Sequence, residues 1–307
     1  MKRDLLSLQD LSGGEITALL ELTQQLKRGE HRPDNPLKGK TVALVFQKPS
    51  NRTRVSFEVG TFQLGGNCLY LGPEEINLGV RESIADAAQT LSRYLDALVA
   101  RTHAHQDILD LAKHARIPVI NGLSDLYHPC QALTDIFSVQ EKFGHLSGLT
   151  LSYIGDGNNV CHSLLLGCAM VGMHMHIATP KKYEPQDSIV QLAMAAAQKT
   201  GAKIMVTHSP REAVNGAHVI YSDVWVSMGQ EEESKKRLKD FNGYQVNGDL
   251  AREANKDYIF MHCLPAHRGQ EVTAEIIDGP HSIVFDQAEN RLHTQKAILI
   301  ALLEKTS

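Results

Sequence analysis

Between Lys48 and Gly60 the chain reads KPSNRTRVSFEVG, which gathers three basic residues, three hydroxyls and an asparagine around one proline. The run TVALVF (Thr41–Phe46) before it has the apolar, β-branched character of a short buried strand, and Arg52–Leu64 after it reads as a helix. In open α/β folds ligands collect at the carboxyl ends of strands, and a helix start aims its free backbone N–H groups at an anion. Ser50, Asn51, Arg52 and Thr53 stand at such a junction. A guanidinium grips two oxygens at once, and hydroxyls and an amide add further donors, so this stretch suits a small, doubly charged oxyanion. An N-capped helix with surface arginines is the plainer alternative, and the segment alone does not choose. GxxxxGK[ST] is absent, so a nucleoside-triphosphate loop is not supported.

Three further stretches carry chemistry. YHPCQALTD places His128, Pro129, Cys130 and Gln131 at a helix start, where proline fits the first turn and His128 and Gln131 share a face. A lone histidine there is commonly structural; its position between two halves of the chain favours function. DVWVSMG (Asp223–Gly229) follows the strand-like AHVIYS. A carboxylate at a strand end suits a cationic amine, and Ser227-Met228-Gly229 reads as a loop able to close over a ligand, or else as a plain surface loop. MHCLPAHRG sets Cys263 at the end of another strand. His262 and His267 match no zinc spacing, so no metal is expected. Cys263 is either an inert buried thiol or, beside His262, partly ionised and able to take a ligand's proton. Gly155-x-Gly157 invites a dinucleotide reading, but Val160 stands where the third glycine belongs and HMHIAT ends without a ribose-binding acid.

The elements that must position these groups alternate β and α almost throughout. NCLYL, ALVAR and PVING are strand candidates of a first half; LTLSYI, HMHIAT, AKIMVT, AHVIYS, YIFMHCL and SIVFD belong to a second. This alternation predicts an α/β fold of two domains, each a parallel sheet flanked by helices. The long helix His128–Gly144 joins them, placing the boundary at residues 1–144 and 145–307, with a last helix from about Gln287 to Glu304 packing back. The length of 307 residues allows two ordinary domains, and 42% apolar with 21% charged residues is the balance of a globular chain. Thirty-five acids against 31 bases give a net charge of −4, so nothing global attracts nucleic acid or an anionic membrane, and any anion site is local. No apolar run approaches a bilayer span, and MKRDLLSLQDL lacks a signal-peptide core. Five cysteines without a CxxC pair suit a reducing cytoplasm.

Taken in order, SxRTR, RTHAH, HPCQ, GDGNN, DVWVSMG, HCLPAHRG and ENRLHTQKA closely resemble the ornithine carbamoyltransferases, over essentially the whole chain. The resemblance implies that Ser50, Asn51, Arg52 and Thr53 hold carbamoyl phosphate together with Asn77, Arg101, His128, Pro129, Cys130 and Gln131. Asn159, Asp223, Ser227 and Met228 hold L-ornithine. Cys263, Leu264 and Arg291 lie at the reaction centre, where Cys263 accepts the proton. It implies no cofactor, a cytoplasmic enzyme of arginine metabolism, and a homotrimer or a multiple of trimers. Asn51 stands where the family commonly has threonine, and Asn77 where it has glutamine, in a loop that serves a neighbouring subunit.

The chemistry fits this assignment. With a lysine-like pKa of about 10.4, only about one δ-amine in 2,500 is neutral at pH 7, so the site must favour or create the neutral nucleophile. Asp223 is expected to anchor the α-amino group, His128 and Arg101 to polarise the carbamoyl oxygen, and Arg52 to stabilise leaving phosphate. An aspartate-using relative would want cations where Asp223 offers a negative charge; putrescine and acylated ornithine remain alternative amines.

Overall fold

Val42–Phe46 are all fully buried, and so are Ala97–Ala100, because strands covered on both faces must be apolar at every position rather than at alternate ones. These are the central strands of the first of two parallel sheets in a computed structural model that describes residues 4–30, 34–226 and 233–304. The chain divides into two compact units, Met1–Phe137 with Glu289–Ser307, and Ser138–Ala288.

In the first unit, helix α1 (Gly13–Arg28) begins on a Ser12/Glu15 capping box and ends at Gly29 in the left-handed region. Ile16, Leu19, Leu20, Thr23 and Leu26 form its buried face at helical spacing. Then follow β1 (Thr41–Phe46), α2 (Asn51–Gln63), β2 (Asn67–Leu71), α3 (Pro73–Ile76), α4 (Ile84–Leu91), β3 (Ala97–Arg101), α5 (His105–His114) and β4 (Val119–Leu123). The order β2-β1-β3-β4 puts the strands that end at Phe46 and Arg101 side by side, paired Phe46↔Arg101. The open edge of β4 is covered by the N-terminal segment: Leu5 N donates to Val119 O, and Asn121 N donates to Leu5 O. Helix α6 (Pro129–Phe143) follows, buried from Pro129 to Val139.

The second unit is built from β5 (Thr150–Ile154), α7 (Asn159–Met170), β6 (His174–Ala178), α8 (Asp187–Thr200), β7 (Ile204–Thr207), α9 (Pro210–Val214), β8 (Val219–Ser222), α10 (Ser234–Asp240), α11 (Gly248–Ala251), β9 (Ile259–His262) and α12 (Ala274–Ile277). Its strands run β7-β6-β5-β8-β9, all parallel. The chain winds outward from β5 to β7 and then returns to β8 on the other side. The adjoining carboxyl ends of β5 and β8 are therefore a switch point, where such sheets leave room for a ligand. Helix α13 (Val284–Leu303) ends the described chain.

The two-sheet α/β architecture is the one expected. Three details differ. SIVFD is no strand: Ser282 makes a single bridge to Phe260, and the chain is already helical at Val284, so the last helix starts three residues earlier than expected. The long helix is not wholly part of the first unit, because the division falls inside α6, after Phe137. Most of the last helix belongs with the first unit: Lys27 donates to Asn290 Oδ1 at 2.7 Å, Lys296 to Gln63 Oε1 at 3.0 Å, and Lys40 to Leu303 O at 2.7 Å.

Candidate functional site

In the first unit, three strand-to-helix junctions and one helix deliver the predicted basic residues. Ser50 caps α2, its hydroxyl accepting from Thr53 N at 3.3 Å, and so sets Asn51 and Arg52 in the first turn. Arg101 is the last residue of β3 and is only 4% exposed. His128 and Gln131, both buried, stand at the start of α6. Arg291, 2% exposed, reaches from α13 to Gln131 Oε1 at 2.5 Å and Thr53 Oγ1 at 3.1 Å, while Gln131 donates onward to Asp135 at 2.8 Å. Burial, and then the charges of Arg291, Arg101, Arg52 and Lys48, hold the His128 imidazole well below the ordinary histidine range. It is therefore neutral, a hydrogen-bonding group among four cations. Burial and the charge of Arg101 also lower Lys48, against an opposing pull from Asp125. Like charges collected around one buried ring repel, and a dianion seated among them relieves that repulsion. Cys130 is fully buried with its thiol pushed up to about 12 by burial, so here it packs and does not react.

In the second unit, three polar groups meet Asp223 just past the end of β8. Asn158 Nδ2 donates to Oδ2 at 2.7 Å, while Val224 N and the Cys263 thiol donate to Oδ1 at 2.8 and 3.0 Å. Asn158 is also the N-cap of α7: its Oδ1 accepts from Val160 N and Cys161 N, and from Tyr153 OH at 3.2 Å. Burial, and then Asp223 nearby, push the Tyr153 phenol well above its ordinary range, so it stays a donor. Beyond Cys263 the chain turns through Leu264, whose φ of +58° is left-handed. His262 holds that turn from behind. Its Nδ1 accepts from Leu264 N at 2.9 Å, and its Nε2 lies 3.3 Å from Glu271 Oε1, both side chains being fully buried. Burial alone would raise the Glu271 carboxyl, but bonds from His262 and the His267 amide outweigh it and hold it below the ordinary carboxylate value. Among the described residues, Asp223, His262 and Cys263 have ligand-type atoms within 4.8 Å of one another. Within that trio the His262 Nδ1 is taken up by Leu264 N and the Cys263 thiol by Asp223.

Comparison with known proteins agrees with both halves. The family description "Aspartate/ornithine carbamoyltransferase, carbamoyl-P binding domain" matches residues 3–141, and "Aspartate/ornithine carbamoyltransferase, Asp/Orn binding domain" matches residues 147–302. The chain belongs to the aspartate/ornithine carbamoyltransferase family. An ornithine carbamoyltransferase of Carboxydothermus hydrogenoformans is 53% identical over 98% of this chain and 97% of its own length. One from Pyrococcus horikoshii is 52% identical over 98% and 96%. The solved ornithine carbamoyltransferase of Pyrococcus furiosus is 51% identical, with a TM-score of 0.96 over 100% of this chain and 98% of that one.

Set against the family's motifs, the structure brings Arg52, Thr53, Arg101, His128, Gln131 and Arg291 together in one unit, and Asp223, Cys263 and Leu264 in the other. Asn77 is exposed at the end of α3, with φ +40°. The next residue is tied to β1's end, since Gln47 Nε2 donates to Leu78 O at 3.4 Å. Asn159 opens α7, but the amide that reaches Asp223 is its neighbour, Asn158. Ser227 and Met228 lie outside the described residues. His262 lies beside Cys263 and Asp223, while its ring also serves Glu271 and the turn, and the thiol meets Asp223. Sequence reading missed Lys48, Asn158, Glu271 and Arg237. Lys48 and Asn158 stood inside quoted motifs; the other two act through tertiary partners, Glu271 on His262 and Arg237 on Asp156.

Proposed function

We propose that this protein is an ornithine carbamoyltransferase, transferring the carbamoyl group of carbamoyl phosphate to the δ-amine of L-ornithine to give citrulline and phosphate. The observation that carries the reading is the 3.0 Å contact between Cys263 Sγ and Asp223 Oδ1, which joins an amine-attracting carboxylate to a proton acceptor. Relatives named ornithine carbamoyltransferase over nearly the full length support it.

In this reading the first unit holds carbamoyl phosphate, with Arg52 and Arg291 on the phosphate oxygens and Arg101 and neutral His128 on the carbamoyl oxygen. The Asp223 carboxylate takes the α-ammonium of ornithine. That cation competes with the Cys263 S–H for Oδ1, and positive charge beside the sulfur favours loss of its proton to solvent, leaving the thiolate. Cys263 then removes a proton from the δ-ammonium, and the neutral amine attacks the carbamoyl carbon. As the new C–N bond forms, negative charge on the oxygen falls to Arg101 and His128. The C–O bond then breaks, its electron pair leaving with phosphate, and the nitrogen gives its extra proton to the departing phosphate. No redox step or cofactor enters. Aspartate fits poorly: a second carboxylate about 4 Å from Asp223 costs about 4 kcal/mol at an effective dielectric of 20. The same reading makes the protein a cytoplasmic homotrimer, or a multiple of one, in arginine metabolism.

The test is product formation from carbamoyl phosphate with ornithine, putrescine, aspartate, lysine and N-acetylornithine in parallel. Ornithine is expected to be the best substrate by at least tenfold; a preference for aspartate or putrescine would refute the amine assignment.

A further inference from the structure

Arg237, in α10, is a buried cation that the proposed chemistry does not use: its side chain is 4% exposed. The guanidinium donates through Nη2 to Asp156 Oδ2 and through Nε to the Trp225 carbonyl at 2.5 Å. It lies 4.7 Å above the Tyr183 ring and 5.5 Å from that of Phe241, and Trp225 stacks on Phe241 at 5.7 Å. A cation so far out of water is held only where several partners replace its hydration. Beside an ion pair to exposed Glu233 at 3.9 Å, the two hydrogen-bonded partners lead to one place. Asp156 is two residues before Asn158, whose amide donates to Asp223; Trp225 is two residues after Asp223. The loop between them has no slack. Gly157 N donates to Tyr183 O at 2.8 Å, and a Cβ on Gly157 would stand 2.2 Å from Pro185 N. Burial pushes the Asp156 carboxyl up to about 6 even against Arg237's charge, so without the guanidinium this loop would lose its charged partner altogether.

We infer that Arg237 and Asp156 are a positioning pair for the amine site, fixing the Asp223 carboxylate from both sides: through Asn158 on one and the Trp225 carbonyl on the other. The inference rests on the ornithine reading above and names residues outside its chemistry. It predicts a selective defect. Arg237→Lys keeps the charge but cannot serve Asp156 and Trp225 together, because an ammonium lacks the planar fork.

The experiment is steady-state kinetics on the full-length parent, Arg237→Lys, Asp156→Asn and the double variant, varying each substrate separately and recording thermal unfolding. In each single variant the KM for ornithine should rise at least tenfold, while that for carbamoyl phosphate stays within twofold. The double variant should be no worse than the poorer single one, since the two residues act as a unit. If Arg237→Lys does not accumulate as folded protein, the isosteric Asp156→Asn decides. An ornithine KM within twofold of the parent, an equal rise in both KM values, or losses that multiply in the double variant would overturn the inference. A parent that fails to turn over ornithine would instead defeat the functional reading.

Discussion

Because three donors already converge on Asp223, its charge is supported before any amine arrives, and removing that charge should be felt on one substrate only. Asp223→Asn keeps the shape, and a charge-assisted bond to the ornithine α-ammonium becomes a neutral one. Calorimetry should show ornithine weakened by about 1.5–3 kcal/mol, with carbamoyl phosphate unchanged. Impaired carbamoyl phosphate binding instead would remove Asp223 from the amine site. His128 allows a second residue-scale prediction, this one in pH. Its folded pKa is depressed by burial and by Arg291, Arg101, Arg52 and Lys48. The unfolded chain therefore takes up a proton below about pH 6.5 that the folded chain refuses. The cost is absent above that pH and grows as pH falls, by up to about 1.4 kcal/mol per unit. Denaturant unfolding at pH 7.5 and 5.5 should show His128→Gln losing less stability on acidification than the parent. An equal loss would mean that the ring is not held neutral.

At the scale of elements, the cation cluster of the first unit and the Asp223 cluster of the second follow one rule: a parallel strand ends, the chain turns, and the next helix starts with its donors facing the strand ends. The turn after β5 is the tightest. The position next to Asn158 admits no Cβ, since its nearest neighbours are the backbone atoms of Glu184 and Pro185 rather than a movable side-chain tip. Gly157→Ala should lower the melting temperature and raise the ornithine KM together; a variant with parental values for both would mean that the loop has slack. Much of this was legible beforehand. Apolar runs located the nine strands among the described residues, and the Ser12/Glu15 capping box and Gly29 marked the limits of α1, because propensity, pattern and packing agree there. SIVFD misled because Ile283 and Val284 are buried between one bridge residue and a helix start, a case that composition does not separate from a strand. Motif order located the cation cluster and Asp223 with Cys263, whereas the Asn158 amide on Asp223 depends on which residue caps α7. Glu271 and Arg237 were invisible because their roles are set by tertiary contacts across 9 and 81 positions of chain, to His262 and Asp156.

For the whole molecule, the division of labour between two units leaves one predicted residue apart. Arg101, His128, Gln131 and Arg291 are buried in the first unit, but Asn77, assigned by resemblance to the same ligand, is exposed at the end of a four-residue helix. Among the described residues no helix is long and apolar enough to cross a membrane. In the trimer proposed above, the loop carrying Asn77 serves a neighbour's site, and that arrangement has an arithmetic consequence. Asn77→Ala and Cys263→Ala should each be nearly inactive as homotrimers. Mixed at equal concentration under conditions that exchange subunits, a site works when its own chain retains Cys263 and its neighbour retains Asn77. Each condition holds for half the chains, so activity should recover to about one quarter of the parent. Sedimentation of the parent should give three chains or a multiple of three. No recovery after demonstrated exchange, an Asn77→Ala variant that is fully active alone, or an active monomer would each rule out the shared site, because a site complete within one chain gains nothing from a differently damaged neighbour.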